Sequence, residues 1–174
     1  MVKLRRAVAY RRVERPYTRK SKYRTKQFTR GAPTNKIVKY EMGNLKKKFQ
    51  YVVVIKSGAD IQLRHNALES GRLTSNRLLE KECGKLGYKL RLRVYPHHVL
   101  RENPLASGAG ADRMSTGMKK SFGKPVGLAA QVKKGQILFE AFVDEQFLEV
   151  GKKAIDGIKH KIPCSTTLEV MENN

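Results

Sequence analysis

The chain has 174 residues, enough for one domain with a substantial core. Its 37 Lys and Arg residues outnumber 15 Asp and Glu residues and give a formal net charge of +22. Such an excess indicates a polyanionic partner, with nucleic acid as the default and an anionic membrane surface as the competitor. A membrane-spanning helix is excluded, because the longest apolar block is residues 52–55 and a span needs roughly 18 apolar residues.

The charge is unevenly placed along the chain. Residues 1–48 carry 17 basic and 2 acidic side chains, whereas residues 136–174 carry 4 basic and 7 acidic ones. The polyanion should therefore meet the N-terminal third and the centre of the chain. The N-terminus lacks a signal-peptide core, and Cys83 and Cys164 form no spacing pattern, which favours a reducing cytoplasm.

Residues 1–36 interleave cations with aromatic residues and show no apolar period. A segment of this kind cannot order through a core of its own, so we expect it to order on a partner. Cations beside aromatic rings suit RNA, although a flexible tail or an organelle presequence has a similar composition. The RNA-binding residues predicted here are Arg5, Arg6, Arg11, Arg12, Arg15, Arg19, Lys20, Lys22, Arg24, Lys26 and Arg30.

The next segment, residues 37–63, has strand character. Residues 37–41 alternate, residues 49–57 are rich in aromatic and β-branched side chains, and residues 59–63 suggest a further short strand. Because turns separate the three runs, we expect a hairpin or a bent ribbon.

A helix should begin at Asn66, with Glu69 completing a capping box. Its apolar stripe is expected to pack on a sheet and consists of Leu68, Gly71, Ser75, Leu79, Cys83 and Leu86. Four cations fall off that stripe and face either solvent or RNA, namely Arg72, Arg77, Lys81 and Lys85. Gly84 and Gly87 should end the helix.

Residues 88–95 alternate cleanly, which places Arg91 and Arg93 on a face that meets either solvent or RNA. Two strands joined by a turn at residues 133–135 follow the central stretch, then an amphipathic helix over residues 147–158 and a last strand over residues 165–171. Two helices on a mostly antiparallel sheet predict an α+β fold. We expect a basic extension over residues 1–36 and one domain over residues 37–174.

The central stretch, residues 101–127, is the segment around which the chain is organised. It holds 5 of the 14 glycines, two prolines and five cations, and strand-like runs flank it. So long a connection is usually functional or disordered, and spaced apolar residues favour an ordered projecting loop that approaches something anionic.

Catalytic motifs are weak throughout. Gly108 and Gly110 resemble a phosphate-binding loop, but neither a Walker pattern nor a dinucleotide fingerprint is present. His97 and His98 follow Pro96 without a second metal ligand or a nucleophile nearby, so we expect one ring to pack and the other to face solvent or phosphate. The sequence therefore predicts no enzyme, no cofactor and no metal.

Three stretches carry a resemblance to a known family: RVYPHHVLREN at residues 93–103, GAGADRM at 108–114 and TGMKKSFGKPVG at 116–127. They resemble the archaeal and eukaryotic branch of a universal large-subunit ribosomal protein family, whose counterparts are bacterial large-subunit protein sixteen and eukaryotic protein ten. The similarity extends over nearly the whole chain and looks archaeal. Gln131 is one departure, since the family often has Arg there, so one phosphate contact should be missing.

The resemblance implies a structural ribosomal protein with an α/β-hammerhead fold, located in the cytoplasm. Its implied partners are large-subunit rRNA near the aminoacyl-tRNA site, A-site tRNA and neighbouring ribosomal proteins, with no membrane and no DNA. The central loop would point towards the peptidyl transferase region and tRNA. By position, its RNA-binding residues are Arg101, Asn103, Arg113, Met114, Lys119, Lys120 and Lys124.

Two alternatives come from other classes of protein. The glycine loop could serve a nucleic-acid-dependent enzyme, and the acidic C-terminal helix could recruit a protein partner in a free regulatory module.

Overall fold

The computed structural model describes residues 5–14, 23, 25, 31–102 and 123–173. The strands are β1 (Glu41–Gly43), β2 (Tyr51–Ser57), β3 (Ile61–Arg64), β4 (Tyr88–Leu92), β5 (His98–Glu102), β6 (Lys124–Val132), β7 (Ile137–Val143) and β8 (Thr166–Glu172). The α-helices are α1 (His65–Cys83) and α2 (Leu148–Asp156), and short 3-10 helices cover Ala7–Ala9, Glu145–Phe147 and Gly157–Lys161. Of the helices described, none is long and apolar enough to cross a membrane.

The strands form two antiparallel sheets of different size. The larger sheet has the order β1-β4-β7-β2-β8 and the smaller one β3-β6-β5. β6 and β7 are consecutive in sequence but belong to different sheets, so the turn at residues 133–135 carries the chain from one to the other. Two helices and mostly antiparallel pairing confirm the α+β prediction.

The core lies where α1 and α2 cover the larger sheet. Phe139, Leu90 and Ile155 are fully buried because strand alternation and the helix stripe direct them to the same space. Gly71 lets α1 approach the 3-10 helix Gly157–Lys161 closely, since a Cβ at position 71 would lie 3.3 Å from Ile158 Cγ2. The Ser75 hydroxyl lies 3.0 Å from the carbonyl oxygen of Ala154 and so joins α1 to α2.

The prediction that a capping box begins α1 is wrong. The N-cap residue is Arg64, and no side chain caps the helix. Glu69 instead accepts a hydrogen bond from Arg72 Nε at 2.8 Å. Arg72 is only 6 % exposed, so its prediction as a solvent- or RNA-facing cation is also wrong. Leu86, predicted on the buried stripe, lies beyond the helix and is 71 % exposed.

The predicted ribbon over residues 37–63 does not form. β1 pairs with β4, β2 pairs with β7 and β8, and β3 pairs with β6, so no two of these strands are neighbours. Residues 37–40 lie outside the strands, and side chains accept hydrogen bonds from the backbone amides of the first two. Ile37 N donates to Asn35 Oδ1 at 3.1 Å and Val38 N donates to Glu69 Oε2 at 3.4 Å.

The central connection is shorter than predicted. Arg101 and Glu102 belong to β5 and residues 124–127 to β6, so only residues 103–123 separate the strands. Residues 103–122 lie outside the described part, which leaves the projecting loop a prediction. The other expected elements are confirmed with small shifts of their ends: β2, β4, β6, β7, β8 and α2.

Candidate nucleic-acid interface

The basic N-terminal segment, residues 5–14, lies along the outer edge of β3. Gln62, in the middle of β3, donates its backbone amide to Arg11 O at 2.9 Å. Its side-chain amide donates to Tyr10 O at 3.1 Å and to Arg12 O at 2.7 Å. The expectation that the extension orders only on a partner is therefore wrong for these residues, because a buried glutamine fixes their backbone.

Gln131 completes this attachment from the neighbouring strand β6. Its side-chain amide donates to Glu14 O at 2.6 Å and to Gln62 Oε1 at 3.0 Å. The residue that departs from the family pattern thus makes contacts within the protein. The attachment turns the backbone of the segment inward and leaves its cations outward, with Arg6, Arg11 and Arg12 all exposed.

The start of the segment is tied to the base of the central loop. Arg5 forms an ion pair with Glu102, the last residue of β5. Beside it, the Arg64 guanidinium lies 5.4 Å from the centroid of the Tyr10 ring, a cation–π distance. Burial, followed by the nearby Glu102 carboxylate, raises the pKa of Tyr10, so this phenol stays protonated and able to donate. The N-terminal segment and the loop base therefore form one surface.

A cavity of about 300 Å³ opens between these elements. Three cations line it, Arg5, Lys36 and Arg64, together with the start of α1. Asn66 Oδ1, also in the lining, is buried with no hydrogen-bond partner among the described residues. The cavity belongs to the same cationic surface as the N-terminal segment.

Two histidines are buried beneath this surface. Burial, reinforced by Lys36 and Arg64, lowers the pKa of His65, and its Nδ1 accepts a hydrogen bond from Lys36 N at 3.4 Å. Burial, followed by Arg101, likewise lowers the pKa of His98. Both imidazoles are therefore neutral at neutral pH, and the positive charge of the surface comes from Lys and Arg. His97 is exposed, which confirms that one ring of the pair packs and the other faces outward.

The two ends of the central loop are held side by side. Glu102 in β5 pairs with Lys124 in β6, after a register shift between Leu100 and Arg101. Gly123 has φ +95° and would place a Cβ 3.1 Å from the Glu102 backbone, so the entry to β6 requires glycine. Lys124 is exposed at this base. The pairing fixes where the loop leaves the body.

Arg91 and Arg93 lie on the other sheet and already have acidic partners. Arg91 Nη2 lies 2.5 Å from Glu41 Oε1, and Arg93 Nε lies 3.3 Å from Glu140 Oε1. Both arginines retain exposed surface, with 33 % and 48 % of their side chains accessible. Exposed ion pairs of this kind are weak, so an RNA contact at either arginine stays a prediction.

The structure thus describes eight of the predicted RNA-binding residues. Six of them gather around the N-terminal segment and the loop base: Arg5, Arg6, Arg11, Arg12, Arg101 and Lys124. Outside the described residues lie Arg15, Arg19, Lys20, Lys22, Arg24, Lys26, Arg30, Asn103, Arg113, Met114, Lys119 and Lys120. Within the described ranges, no group of three or more His, Cys, Asp or Glu residues could hold a metal ion.

Sequence reasoning missed the residues that shape this surface from within. Gln62 looked like an ordinary strand residue, Gln131 stood out only as a departure from the family pattern, and Lys36 and Arg64 belonged to no motif. Arg64 carried one usable signal, because a cation directly before a helix opposes the helix dipole and calls for an anionic partner.

A small antiparallel sheet carries the docked basic segment, the cation-lined cavity and the base of the central loop. This α+β arrangement is typical of proteins that bind a polyanion. Comparison with known proteins makes this specific. The family model of ribosomal protein L16p/L10e matches residues 14–169, and the chain belongs to this family, in its archaeal branch. Members are structural constituents of ribosomes, which rules out the enzyme alternative.

The relatives are archaeal proteins with the name large ribosomal subunit protein uL16. The one from Methanococcus maripaludis strain S2 is 45 % identical over 168 residues, covering 96 % of this chain and 94 % of the relative. That of Archaeoglobus fulgidus is 40 % identical over 161 residues, covering 92 % and 89 %. That of Methanospirillum hungatei is 44 % identical over 151 residues, covering 87 % and 89 %. The similarity therefore extends over nearly the whole chain and is not confined to the central loop.

Proposed function

We propose that this protein is a structural constituent of the large ribosomal subunit in the cytoplasm. There it binds large-subunit rRNA near the aminoacyl-tRNA site, helps to position A-site tRNA through the loop between β5 and β6, and contacts neighbouring ribosomal proteins. Family membership supports the ribosomal role. The rRNA and tRNA contacts are inferred from the cationic surface and from the resemblance of the loop.

The observation that carries the proposal is the attachment of the N-terminal segment to the sheet that bears the loop. The Gln62 and Gln131 amides hold residues 10–14 by their backbone carbonyls, so the guanidinium groups remain outside. The Arg5–Glu102 ion pair brings the same segment to the base of the loop. An RNA bound to the exposed arginines would therefore fix the point from which the loop projects.

Salt dependence tests the RNA contact directly. If 6–10 phosphates are contacted, affinity for a large-subunit rRNA fragment should fall by about 10³–10⁵ between 50 and 200 mM salt. Filter binding of the full chain across this range measures the slope. Affinity that is insensitive to salt would contradict an RNA-binding role.

Sucrose-gradient fractionation of cell extract tests the assembly. The protein should sediment with large subunits and move to the top of the gradient after RNase treatment. A chain that sediments as a free protein before RNase treatment would overturn the proposal.

A further inference from the structure

The strand segment that carries Arg91 and Arg93 continues its alternation beyond the end of β4. Leu92, Val94 and Pro96 are buried. The residues that alternate with them lie outward, and these are Arg91, Arg93, Tyr95 and His97. One face of the chain therefore presents two guanidinium groups followed by two aromatic rings.

The aromatic end of this face is a row of three rings. Tyr40 and Tyr95 are stacked with centroids 5.4 Å apart and an interplanar angle of 23°. Tyr95 and His97 follow with centroids 4.5 Å apart and an angle of 46°. Tyr95 is nevertheless 48 % exposed and His97 is exposed, so the row is open to solvent at this end.

The half-buried end of the row, Tyr40, is held in place by polar contacts. The Tyr40 hydroxyl accepts a hydrogen bond from Asn35 Nδ2 at 2.7 Å, and Tyr40 O accepts one from Leu92 N at 2.8 Å. Burial raises the pKa of Tyr40. A ring fixed at both its backbone and its hydroxyl gives the exposed rings a rigid support, which reduces the entropy cost of stacking a further ring on them.

We propose that Tyr95 and His97 form a stacking site for one unpaired RNA base, with Arg93 beside them for the adjoining phosphate. An unpaired nucleobase is the planar group that extends such a row, and aromatic side chains next to cations are the usual means of holding single-stranded RNA. The site rests on the proposed rRNA-binding function. It adds to that function a second contact area, in the segment between β4 and β5, which binds exposed bases and not only phosphates.

The first test separates base stacking from phosphate contact. The full chain is titrated with an eight-nucleotide oligoadenylate and with the same backbone lacking bases, at one salt concentration. Stacking on aromatic side chains contributes about 1–3 kcal/mol per base, or roughly 5- to 150-fold in affinity. Tyr95→Leu should weaken oligoadenylate binding by a factor in this range and leave binding of the abasic strand unchanged. Tyr95→Phe should restore the wild-type affinity.

Arg11→Ala is the matched control, because removal of a phosphate-binding cation should weaken both oligonucleotides equally. If Tyr95→Leu weakens neither strand, or weakens both alike, the stacking site is overturned. The rRNA-binding function then still stands if wild-type binding of both strands depends on salt, so the two failures are distinguishable.

The second test uses the absence of tryptophan from the sequence. Tyr95→Trp introduces one fluorophore into the row, and stacking of a base should quench it when oligoadenylate is added. The control is Val170→Trp on β8, which is 38 % exposed and lies far along the sheet order from β4. Quenching at position 95 by the abasic strand, or equal quenching at both positions, would contradict the proposal.

Discussion

At the scale of single residues, two glutamines decide where the basic extension goes. Gln62 is 3 % exposed and donates to Tyr10 and Arg12 through its side-chain amide, while Gln131 donates to Glu14 and Gln62. An arginine at position 131 is longer, and a guanidinium directed outward to a phosphate would leave Gln62 Oε1 and Glu14 O without their donor. The glutamine at position 131 therefore supports the attachment of the segment, which an arginine directed outward would not.

Gln62→Ala should release the N-terminal segment. The substitution removes the hydrogen bonds to the carbonyl oxygens of Tyr10 and Arg12, and each such bond contributes about 0.5–1.5 kcal/mol. Trypsin should cleave after Arg11 and Arg12 about tenfold faster or more, since cleavage follows the population of the open form. Gln50→Ala is the control, because Gln50 Oε1 accepts from Glu145 N at a distant site. Equal cleavage of both variants would contradict the attachment described above.

His65 makes stability depend on pH. Its folded-state pKa is below the ordinary value, so between the two values the unfolded chain binds more protons and stability falls as pH drops below about 6.5. His65→Gln should reduce the loss of the urea midpoint between pH 7.5 and pH 5. The exposed His160→Gln should not, and carboxylate effects are common to both variants. An unchanged pH dependence in His65→Gln would show that this histidine does not contribute.

At the scale of elements, pairing of β5 with β6 sets the geometry from which the loop leaves the body. Gly123 is the residue that allows it, because its φ is +95° and the Glu102 backbone is close. Gly135 offers a matched comparison, with φ +79° and no atom within 4 Å of the point where a Cβ would lie.

Gly123→Ala should therefore destabilise the protein more than Gly135→Ala. Both variants carry the strain of a positive φ, of order 1–3 kcal/mol, and only the first adds a steric contact. Urea unfolding should show an additional destabilisation of about 1 kcal/mol or more for Gly123→Ala, since overpacking typically costs that much. Equal destabilisation of the two variants would show that the Glu102 backbone moves away from the added methyl group without a loss of stability.

Most elements could be predicted from the sequence, and their partners could not. Alternation in residues 88–95 and the β-branched run at 51–57 depend on local pattern, so β4 and β2 are found. The pairing of β2 with β7 and β8 depends on residues far apart in the chain, as between Val53 and Ala141. The capping prediction failed partly for the same reason, because the Glu69 carboxylate accepts from the distant Val38 amide. It also accepts from the nearby Arg72 guanidinium and does not cap the helix.

The same limit applies to the site. Composition was enough to predict that Arg6, Arg11 and Arg12 lie at the surface, where the structure exposes them, and their contact with RNA stays a prediction. It could not predict the cavity, because Arg5, Lys36 and Arg64 come together only when β3, β5 and the N-terminal segment are assembled.

At the scale of the whole molecule, charge is separated between two ends of the chain. The N-terminal residues 1–48 carry most of the excess positive charge, and residues 136–174, which form β7, α2 and β8, are net acidic. A polyanion should therefore approach the first region and avoid the second, although the second also contains lysines.

A pair of triple variants tests this separation. Arg6, Arg11 and Arg12 replaced by alanine should reduce the slope of log affinity against log salt by about 3, or about 1 for each phosphate that is no longer neutralised. Lys152, Lys153 and Lys159 replaced by alanine remove the same charge from the acidic region and should leave the slope unchanged. Equal effects in filter binding to an rRNA fragment would show that net charge alone governs affinity.

The attachment of the N-terminal segment also has a consequence for the order of folding. Glu14 and Gln131 are 117 residues apart in sequence, and contacts between such distant residues form late because a long loop must close first. The acceptor site exists only after β3 and β6 have paired, so docking should be a slow final phase of refolding. The most basic part of the chain is thus expected to be the last to join the folded body.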